Sequence, residues 1–189
     1  VRALVNQSIP LIGTVARFDP LKDPLNLLDA LAILQKNGVN FRHLLVGAGF
    51  DSTNEKLMQW VVERQLTERV QLCGSRSDVS NIMNALDIHV LSSSSEAFPN
   101  VVAEAMACGT PCVVTDVGDS AYIVGDTGWV VPPYDAKSLA EIISVAIQEI
   151  NSHSWKIRCE RARQRISINF SIQRMVDEYN DIWKKVSQN

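Results

Sequence analysis

The sequence contains no apolar run that approaches the roughly 18 residues needed to span a bilayer. Residues 1–15 lack the charged start, the long apolar stretch and the small-residue cleavage site of a signal peptide. Neither sign of charge dominates, because 18 basic and 21 acidic residues give a formal net charge of −3. A general electrostatic hold on nucleic acid is therefore not expected. These absences predict a cytoplasmic protein, and Val1 in place of Met predicts a fragment of a longer chain.

Cysteine and histidine are also scarce, and neither is spaced for metal binding. No CxxC pair occurs, and Gly109 and Pro111 break the helix that would bring Cys108 and Cys112 onto one face. Disulfide frameworks are typical of smaller, secreted chains. We therefore expect reduced thiols in the core and no metal site. The residues concerned are Cys73, Cys108, Cys112, Cys159, His43, His89 and His153.

The sequence does contain a regular alternation of short apolar runs and longer segments with helical periodicity. With 46% hydrophobic and 21% charged residues, its composition is that of a globular protein with a substantial core. Several runs are rich in Val, Ile and Leu without alternation, as in strands covered on both faces. The predicted strands are residues 11–16, 41–46, 70–73, 88–91, 111–115 and 128–131. The predicted helices are residues 23–35, 53–66, 78–85, 99–108, 136–150 and 170–186.

Strands and helices in strict rotation predict parallel strands joined by right-handed crossovers. We expect an α/β domain over residues 1–150, with a doubly wound, Rossmann-like parallel sheet of about six strands flanked by helices. Residues 151–189 are predicted to form a helical tail that packs on the domain, with Met175, Tyr179, Ile182 and Trp183 on one face of its last helix. Ligands of such sheets bind at the carboxyl ends of the strands, near the point where strand order reverses.

Two cations follow the first predicted strand. Arg17 lies at its carboxyl end, and Lys22 lies at the mouth of the next helix. A guanidinium fork and a point charge at the ligand edge of a parallel sheet suit the two phosphates of a diphosphate. From the pair alone, the favoured interpretation is surface charge neutralised by Asp19 and Asp23.

A polar run, residues 92–95, follows the fourth predicted strand and leads into a helix that begins near Pro99. The amides in the first turn of a helix have no partner within the helix, so those of Asn100, Val101 and Val102 are expected to face the sheet edge. A helix start of this kind is a ready site for phosphate.

Two carboxylates flank this helix start. Glu104 lies one turn beyond Asn100 on the same face and can accept two hydrogen bonds from a vicinal diol such as that of ribose. Glu96 precedes the helix and can bind the hydroxyls of a second sugar. The same Glu-x7-Glu spacing recurs at Glu55 with Glu63 and at Glu141 with Glu149, where it falls within amphipathic helices and indicates solvated faces.

Three glycine-containing loops complete the predicted ligand edge. Gly74-Ser75-Arg76 follows the third strand, and its glycine would let the backbone approach a flat base. Residues 115–119 follow the fifth strand. Ordinary turn chemistry explains both loops equally well. Gly47-Ala48-Gly49 follows the second strand rather than the first, and Ser52 stands where the third glycine of a dinucleotide fingerprint belongs. A nicotinamide site is therefore disfavoured.

Taken together, these motifs resemble the carboxy-terminal, donor-binding domain of GT-B glycosyltransferases, specifically the retaining family 4. The resemblance runs in order through residues 8–150. Its most specific stretch is Ser95-Glu96-Ala97-Phe98-Pro99-Asn100-Val101-Val102-Ala103-Glu104-Ala105-Met106-Ala107-Cys108-Gly109-Thr110-Pro111. The other matching stretches lie at residues 12–17 with Lys22, 44–49, 70–74, 87–92, 115–118 and 128–131.

The resemblance implies a donor site for a nucleotide-diphosphate sugar, with no cofactor and no metal. Arg17, Lys22 and Glu96 are the implied catalytic set: the two cations stabilise the leaving nucleotide, and Glu96 contacts the donor sugar without acting as a nucleophile. The sugar contacts implied are Glu96, Phe98 and Asn100. The nucleotide contacts implied are Gly74, Ser75 and Arg76 for the base, Glu104 for the ribose, and Asn100, Val101 and Val102 for the phosphates.

The chain departs from the family pattern in two respects. Tyr122 stands where family members often carry Glu, which is expected to alter local packing. The amino-terminal domain, which in GT-B enzymes supplies the acceptor site and closes over the donor, is absent. We therefore expect the chain to bind a nucleotide but not to complete a turnover alone.

Other interpretations stay open at the level of the sequence. A non-catalytic nucleotide-sugar-binding module is one alternative, and a dinucleotide-binding oxidoreductase domain is a weaker one. The acceptor that the family resemblance suggests is a polysaccharide or glycolipid precursor. The basic residues between positions 156 and 165 are interpreted as a solvated helix face, with the missing half or an anionic membrane at the inner face as alternative partners.

Overall fold

The computed structural model describes residues 9–187, and in it six parallel strands form one sheet. The strands are β1 (Leu11–Val15), β2 (Arg42–Val46), β3 (Val70–Leu72), β4 (Ile88–Leu91), β5 (Cys112–Thr115) and β6 (Trp129–Val131). Their order across the sheet is β3-β2-β1-β4-β5-β6. The predicted α/β architecture and all six predicted strands are confirmed, with ends that differ by at most one residue.

Eight α-helices surround the sheet within the described residues. They are α1 (Pro24–Lys36), α2 (Glu55–Glu63), α3 (Val79–Ala85), α4 (Asn100–Ala107), α5 (Ser120–Val124), α6 (Ala136–Glu149), α7 (His153–Asn169) and α8 (Ile172–Ser187). Short 3-10 turns at Pro20–Lys22 and Gly125–Thr127 complete the connections. The short helix α5 has no counterpart among the predicted helices. None of these helices combines the length and the apolar character that crossing a membrane requires.

Apolar side chains of successive strand residues point to opposite faces of the sheet, so each strand contributes to two core layers. Ile12 packs in one layer, with residues of α1, α2 and α6, whereas its neighbour Leu11 packs in the other layer, against α3. Val114 packs against α4, α5 and α7 on that second side. Covering both faces explains why the strands read as continuous apolar runs.

Strand order reverses between β1 and β4, and these two strands separate towards their carboxyl ends. Their ladder contains the pairs Ile12–Ile88 and Gly13–His89, whereas β1 and β2 pair over five residues. Beyond Gly13, the amide of Val15 donates to Nε2 of His89 at 3.3 Å instead of to the β4 backbone. In sheets of this kind, ligands bind in a crevice at the carboxyl ends of the strands, near the point where strand order reverses.

Two fully buried histidines, His43 in β2 and His89 in β4, lie on either side of β1. Thr14 Oγ1 donates to the Val90 carbonyl, so it accepts from Nε2 of His43 at 3.1 Å. His89 Nε2 accepts from Val15, so its proton lies on Nδ1. Burial lowers the pKa of His43 to about 3, with a contribution from the charge of His89, and burial lowers the pKa of His89 to about 4. Both rings are therefore neutral at physiological pH.

The four cysteines have free thiols, and one of them is a core residue. Cys112 is fully buried in β5, and burial raises the pKa of its thiol. Cys73, Cys108 and Cys159 are half-buried, so the prediction of core thiols is correct for Cys112 alone.

The two tail helices differ in how they pack. In α7, Ala162 and Ile166 are buried against the domain. In α8, every side chain is exposed, including those of Tyr179 and Trp183, which are 57% and 68% exposed. The predicted packing on the domain is therefore found for α7 but not for α8, whose residues Met175, Tyr179 and Ile182 line an open groove and are not buried.

Candidate functional site

Hydrogen bonds join the loops that follow neighbouring strands into a continuous belt at the carboxyl edge of the sheet. The amide of Phe18, after β1, donates to the Ala48 carbonyl, after β2, at 2.7 Å. The amide of Gly47 in turn donates to the carbonyl of Gly74, after β3, at 2.8 Å. The belt continues to β4, because the amide of Ser94 donates to the Leu21 carbonyl at 2.8 Å.

Gly47 has a structural role in this belt. Its φ of +134° is unfavourable for other residues, and a Cβ on it would lie 1.8 Å from the carbonyl oxygen of Ala16. Gly49 is similar, because a Cβ there would lie 2.8 Å from Cβ of Phe18. These glycines therefore allow the close approach of two protein loops.

A crevice of about 340 Å³ lies at the carboxyl ends of β1, β2 and β3. It brings together four of the predicted nucleotide-binding residues, Ser75, Arg76, Val101 and Glu104. Gly74 is adjacent and is fixed on both sides, since its amide donates to the Phe50 carbonyl and its carbonyl accepts from the Gly47 amide. The remaining lining residues are Val15, Ala16, Val46, Gly47 and Val79, so the crevice has apolar walls and polar groups at two sides.

Arg76 is held at the rim of this crevice by Asp78. Its Nε and Nη2 donate to the two carboxylate oxygens of Asp78 at 2.8 and 2.9 Å. Hydrogen bonding to this guanidinium lowers the pKa of Asp78 and, reciprocally, raises the pKa of Arg76. The bidentate contact fixes the plane of the guanidinium beside the crevice.

Arg17 lies at the end of β1 with its side chain 71% exposed. Its Nε donates to Asp19 at 3.1 Å, and Asp19 also accepts from the amide of Leu21. The Leu21 amide, and then Arg17, lower the pKa of Asp19. Neutralisation by Asp19 is thus observed, and it leaves the terminal amino groups of the guanidinium facing solvent.

Lys22 does not pair with Asp23, whose carboxylate caps α1 by accepting from Asn26. Its Nζ instead contacts Oε1 of Glu96 at 2.6 Å. The Lys22 side chain is 20% exposed and that of Glu96 is 9% exposed, so the ion pair is largely shielded from water. Ser93 also donates to Oε1, at 2.6 Å. Two predicted catalytic residues, which lie in the segments that follow β1 and β4, are therefore in direct contact.

Helix α4 begins at Asn100, with Pro99 as its N-cap residue. The amide of Val102 donates to the Pro99 carbonyl at 3.0 Å, which closes a tight first turn. The expectation of a free amide at Val102 is therefore wrong, because that amide already has a partner and the Val102 side chain is buried in the core. Of the three predicted phosphate-binding amides, those of Asn100 and Val101 remain candidates.

Phe98 and Asn100, the other predicted sugar contacts, line a separate groove of about 680 Å³ between the α4 loop and α8. The ring of Phe98 packs on Phe170 with centroids 5.9 Å apart. Tyr122, which replaces the Glu of the family pattern, packs edge-on against Phe170 at 5.5 Å. Tyr122 thus adds a third ring to the cluster formed by Phe98 and Phe170.

The loop after β5 packs against the backbone that carries Glu96. Gly118 has a φ of +52°, and a Cβ on it would lie 2.3 Å from the Glu96 carbonyl oxygen and 2.4 Å from that of Ala97. The amide of Asp119 donates to the Ala97 carbonyl at 2.8 Å. Thr115, at the end of β5, donates to the Ser93 carbonyl at 2.6 Å. The sequence pattern places this loop at the ligand edge but assigns no role to Ser93. The position of Ser93, two residues after the end of β4, also indicates that edge.

The basic residues of α7 are mostly paired rather than solvated. Arg158 donates to both carboxylate oxygens of Glu149 at 3.0 Å, and Arg161 pairs with Asp126. Arg165 donates to the Ile123 carbonyl at 2.8 Å. The interpretation of this segment as a solvated face is therefore wrong for Arg158 and Arg165, which fasten α7 to the domain, whereas the pair of Arg161 with Asp126 is exposed.

Known proteins resemble this chain in both sequence and fold. It is 27% identical over 184 residues to N-acetyl-alpha-D-glucosaminyl L-malate synthase of Bacillus anthracis, a match that covers 96% of this chain and 47% of the relative. A glycosyltransferase structure from Rickettsia africae superposes with a TM-score of 0.89 at 25% identity, covering all of this chain and 50% of that one.

Anabaena Alr3699/HepE, solved in complex with UDP and glucose, superposes with a TM-score of 0.82 at 27% identity. It is covered over 51% of its length, again by the whole of this chain. The chain thus spans about half the length of the relatives it matches, and its fold is one half of a GT-B arrangement. The family model for glycosyl transferases group 1 matches residues 9–149, which is most of the sequence. The chain therefore belongs to the glycosyl transferases group 1.

Proposed function

We propose that this chain is the donor-binding half of a retaining, family 4 glycosyltransferase, placed carboxy-terminal to an acceptor-binding domain. The observation that carries the proposal is the arrangement at the carboxyl edge of the sheet, where a crevice lined by Arg76 and Glu104 and the contact between Lys22 and Glu96 both lie. A crevice at the switch point suits a nucleoside, and a cation beside a helix start suits its diphosphate.

In this proposal, the base lies against Ser75 and Arg76, and the ribose hydroxyls bind Glu104. The diphosphate lies between Lys22, Arg17 and the start of α4. Both cations stabilise negative charge that develops on the leaving diphosphate, so a metal is not needed for that role. Glu96, with help from the backbone amides of Phe98 and Asn100, holds the donor sugar.

The reaction proposed is a transfer on one face of the sugar. The bond between the anomeric carbon and the phosphate oxygen breaks, and the acceptor hydroxyl forms its bond to that carbon on the same face. The hydroxyl proton passes to the leaving phosphate oxygen. This step needs no protein nucleophile, because the acceptor hydroxyl itself forms the new bond, so Glu96 is assigned only a contact with the sugar.

Two comparisons support the proposal. A structure similar in fold over the whole of this chain was solved in complex with UDP and glucose, which suggests a uridine nucleotide as the first probe. The relatives are about twice as long as this chain, which leaves room for an acceptor domain. A polysaccharide or glycolipid acceptor and a place at the inner face of the membrane stay predictions from the resemblance.

Calorimetric titration of the chain with UDP, GDP, ADP and NAD, without added metal, tests the proposal. Loss of a charge-assisted hydrogen bond costs about 1.5–3 kcal/mol, so Glu104→Ala is expected to weaken diphosphate binding about 10–150-fold. Glu141→Ala is the matched control, because Glu141 has the same Glu-x7-Glu spacing but lies exposed on α6, 3.9 Å from Lys137.

The outcomes separate the candidate functions. Saturable binding of one diphosphate, weakened by Glu104→Ala and by Arg17→Ala but not by Glu141→Ala, supports a donor site and identifies the base. Binding of NAD alone would favour the oxidoreductase alternative. Diphosphate binding that neither site substitution affects would show that the nucleotide lies elsewhere.

A further inference from the structure

One carboxylate oxygen of Glu96 accepts a hydrogen bond from a buried serine. Ser93 is fully buried, and its hydroxyl donates to Glu96 Oε1 at 2.6 Å. Lys22 Nζ contacts the same oxygen, also at 2.6 Å. Among the residues that the structure describes, the two hydrogen bonds that this carboxylate accepts both fall on Oε1, which leaves Oε2 for a ligand.

Ser93 is itself held from the neighbouring strand. Thr115, fully buried at the end of β5, donates its hydroxyl proton to the Ser93 carbonyl at 2.6 Å. The preceding residue, Ser92, donates to the Lys22 carbonyl at 2.9 Å. The backbone at Ser93 is thus fixed on two sides, so its hydroxyl presents a donor at one defined place.

The two donors on Oε1 differ in how a ligand affects them. An arriving diphosphate competes for Lys22, because an ammonium with three protons can turn towards a phosphate. It cannot compete for Ser93, which is neutral and has no exposed surface. Ser93 is therefore the donor that keeps Glu96 in place once the diphosphate is bound.

We propose that Ser93 is a positioning residue for Glu96, and that Thr115 supports it. This inference rests on the proposed function, in which Glu96 binds the donor sugar. A glutamate side chain loses considerable rotamer freedom when it is ordered, and a carboxylate oriented before the sugar arrives avoids that loss during binding. Ser93 does not touch the ligand, so its effect reaches the sugar only through Glu96.

Titrations with UDP and UDP-glucose test this role. In Ser93→Ala, the affinity for UDP is expected to stay within about twofold of the unsubstituted chain, whereas the affinity for UDP-glucose falls about 5–10-fold, the scale of one ordinary hydrogen bond. Ser94→Ala is the matched control, since the Ser94 hydroxyl donates to the Leu21 carbonyl rather than to Glu96. It is expected to leave both affinities unchanged.

A double-substitution cycle distinguishes positioning from a general loosening of the loop. If Ser93 acts through Glu96, then Ser93→Ala adds less than a twofold further loss of UDP-glucose affinity in a Glu96→Ala background. Thr115→Val, which keeps the shape of the side chain but removes the hydroxyl, is expected to show the same selective loss. It also keeps the proposal testable if Ser93→Ala fails to fold.

The opposing outcomes are distinct. Equal losses for UDP and UDP-glucose, or a Ser93 effect that persists without Glu96, would overturn the positioning role and leave the proposed function intact. Equal affinity of the unsubstituted chain for the two probes would also overturn it, since Glu96 would then gain nothing from the sugar. Binding of neither probe would contradict the proposed function itself.

Discussion

Replacing Gly118 with alanine is a sharp test of how the candidate site is built. Gly118 has a left-handed φ of +52°, and its Cα faces the carbonyl oxygens of Glu96 and Ala97. Gly38, in the turn after α1, has a φ of +74°, but no atom lies within 4 Å of the position that a Cβ would take there. Gly38→Ala is therefore a matched control that changes the backbone preference without a steric contact.

The magnitudes follow from these two environments. A left-handed conformation costs an L-residue about 1–2 kcal/mol, and part of that cost is offset because alanine restricts the unfolded chain. Gly38→Ala is thus expected to lower stability by about 1 kcal/mol, or Tm by about 2–4 °C for a domain of this size. At Gly118, the Cβ would lie 2.3 and 2.4 Å from two backbone oxygens, so overpacking adds about 1–3 kcal/mol to the same backbone cost.

Thermal unfolding of both variants and titration with UDP-glucose measure the two effects. Gly118→Ala is expected to unfold at a lower temperature than Gly38→Ala and to bind UDP-glucose at least tenfold more weakly, because the backbone of Glu96 must move. Gly38→Ala is expected to bind like the unsubstituted chain. Equal thermal midpoints for the two variants would refute the steric reasoning, since the contact with Glu96 and Ala97 is the feature that separates them.

Two further predictions concern stability. Because the folded-state pKa values of His43 and His89 are lowered to about 3 and about 4, their contribution to stability is complete above their unfolded pKa near 6.5 and is lost as pH falls towards 3. By pH 5 the loss is about 2 kcal/mol for each ring, so His43→Met is expected to halve the fall in unfolding free energy between pH 7 and pH 5, measured by urea titrations. Truncation after Ser171 removes α8, which buries no side chain, and is expected to change the urea midpoint by less than the equivalent of about 0.5 kcal/mol; a large loss would show that α8 supports the fold.

The strands could be predicted from the sequence because a strand that is buried on both faces consists almost entirely of consecutive apolar residues. Residues such as Leu11 and Ile12 pack on opposite sides of the sheet, so both must be apolar. Strict alternation of strand and helix then determined parallel pairing. The packing of α8 was predicted wrongly, because an apolar stripe indicates that a face avoids water but not which surface covers it.

The site was predictable in outline and not in its contacts. Position after a strand identified Arg17, Lys22, Glu96 and the loop at Gly74 as residues of one edge. Sequence spacing could not show that Lys22 pairs with Glu96 rather than with Asp23, because that choice depends on how loops 74 residues apart meet. Nor could it show that the Val102 amide is used within the first turn of α4.

The three cations at this edge are each paired with a carboxylate, yet each keeps donors for a ligand. Arg17 uses Nε on Asp19, Lys22 uses one contact on Glu96, and Arg76 uses Nε and Nη2 on Asp78. A guanidinium has five N–H donors and an ammonium has three, so the carboxylates orient the cations without exhausting them. An edge that is nearly neutral before the donor arrives does not need a strongly basic protein to hold a diphosphate. A formal net charge of −3 is therefore compatible with a ligand that is an anion.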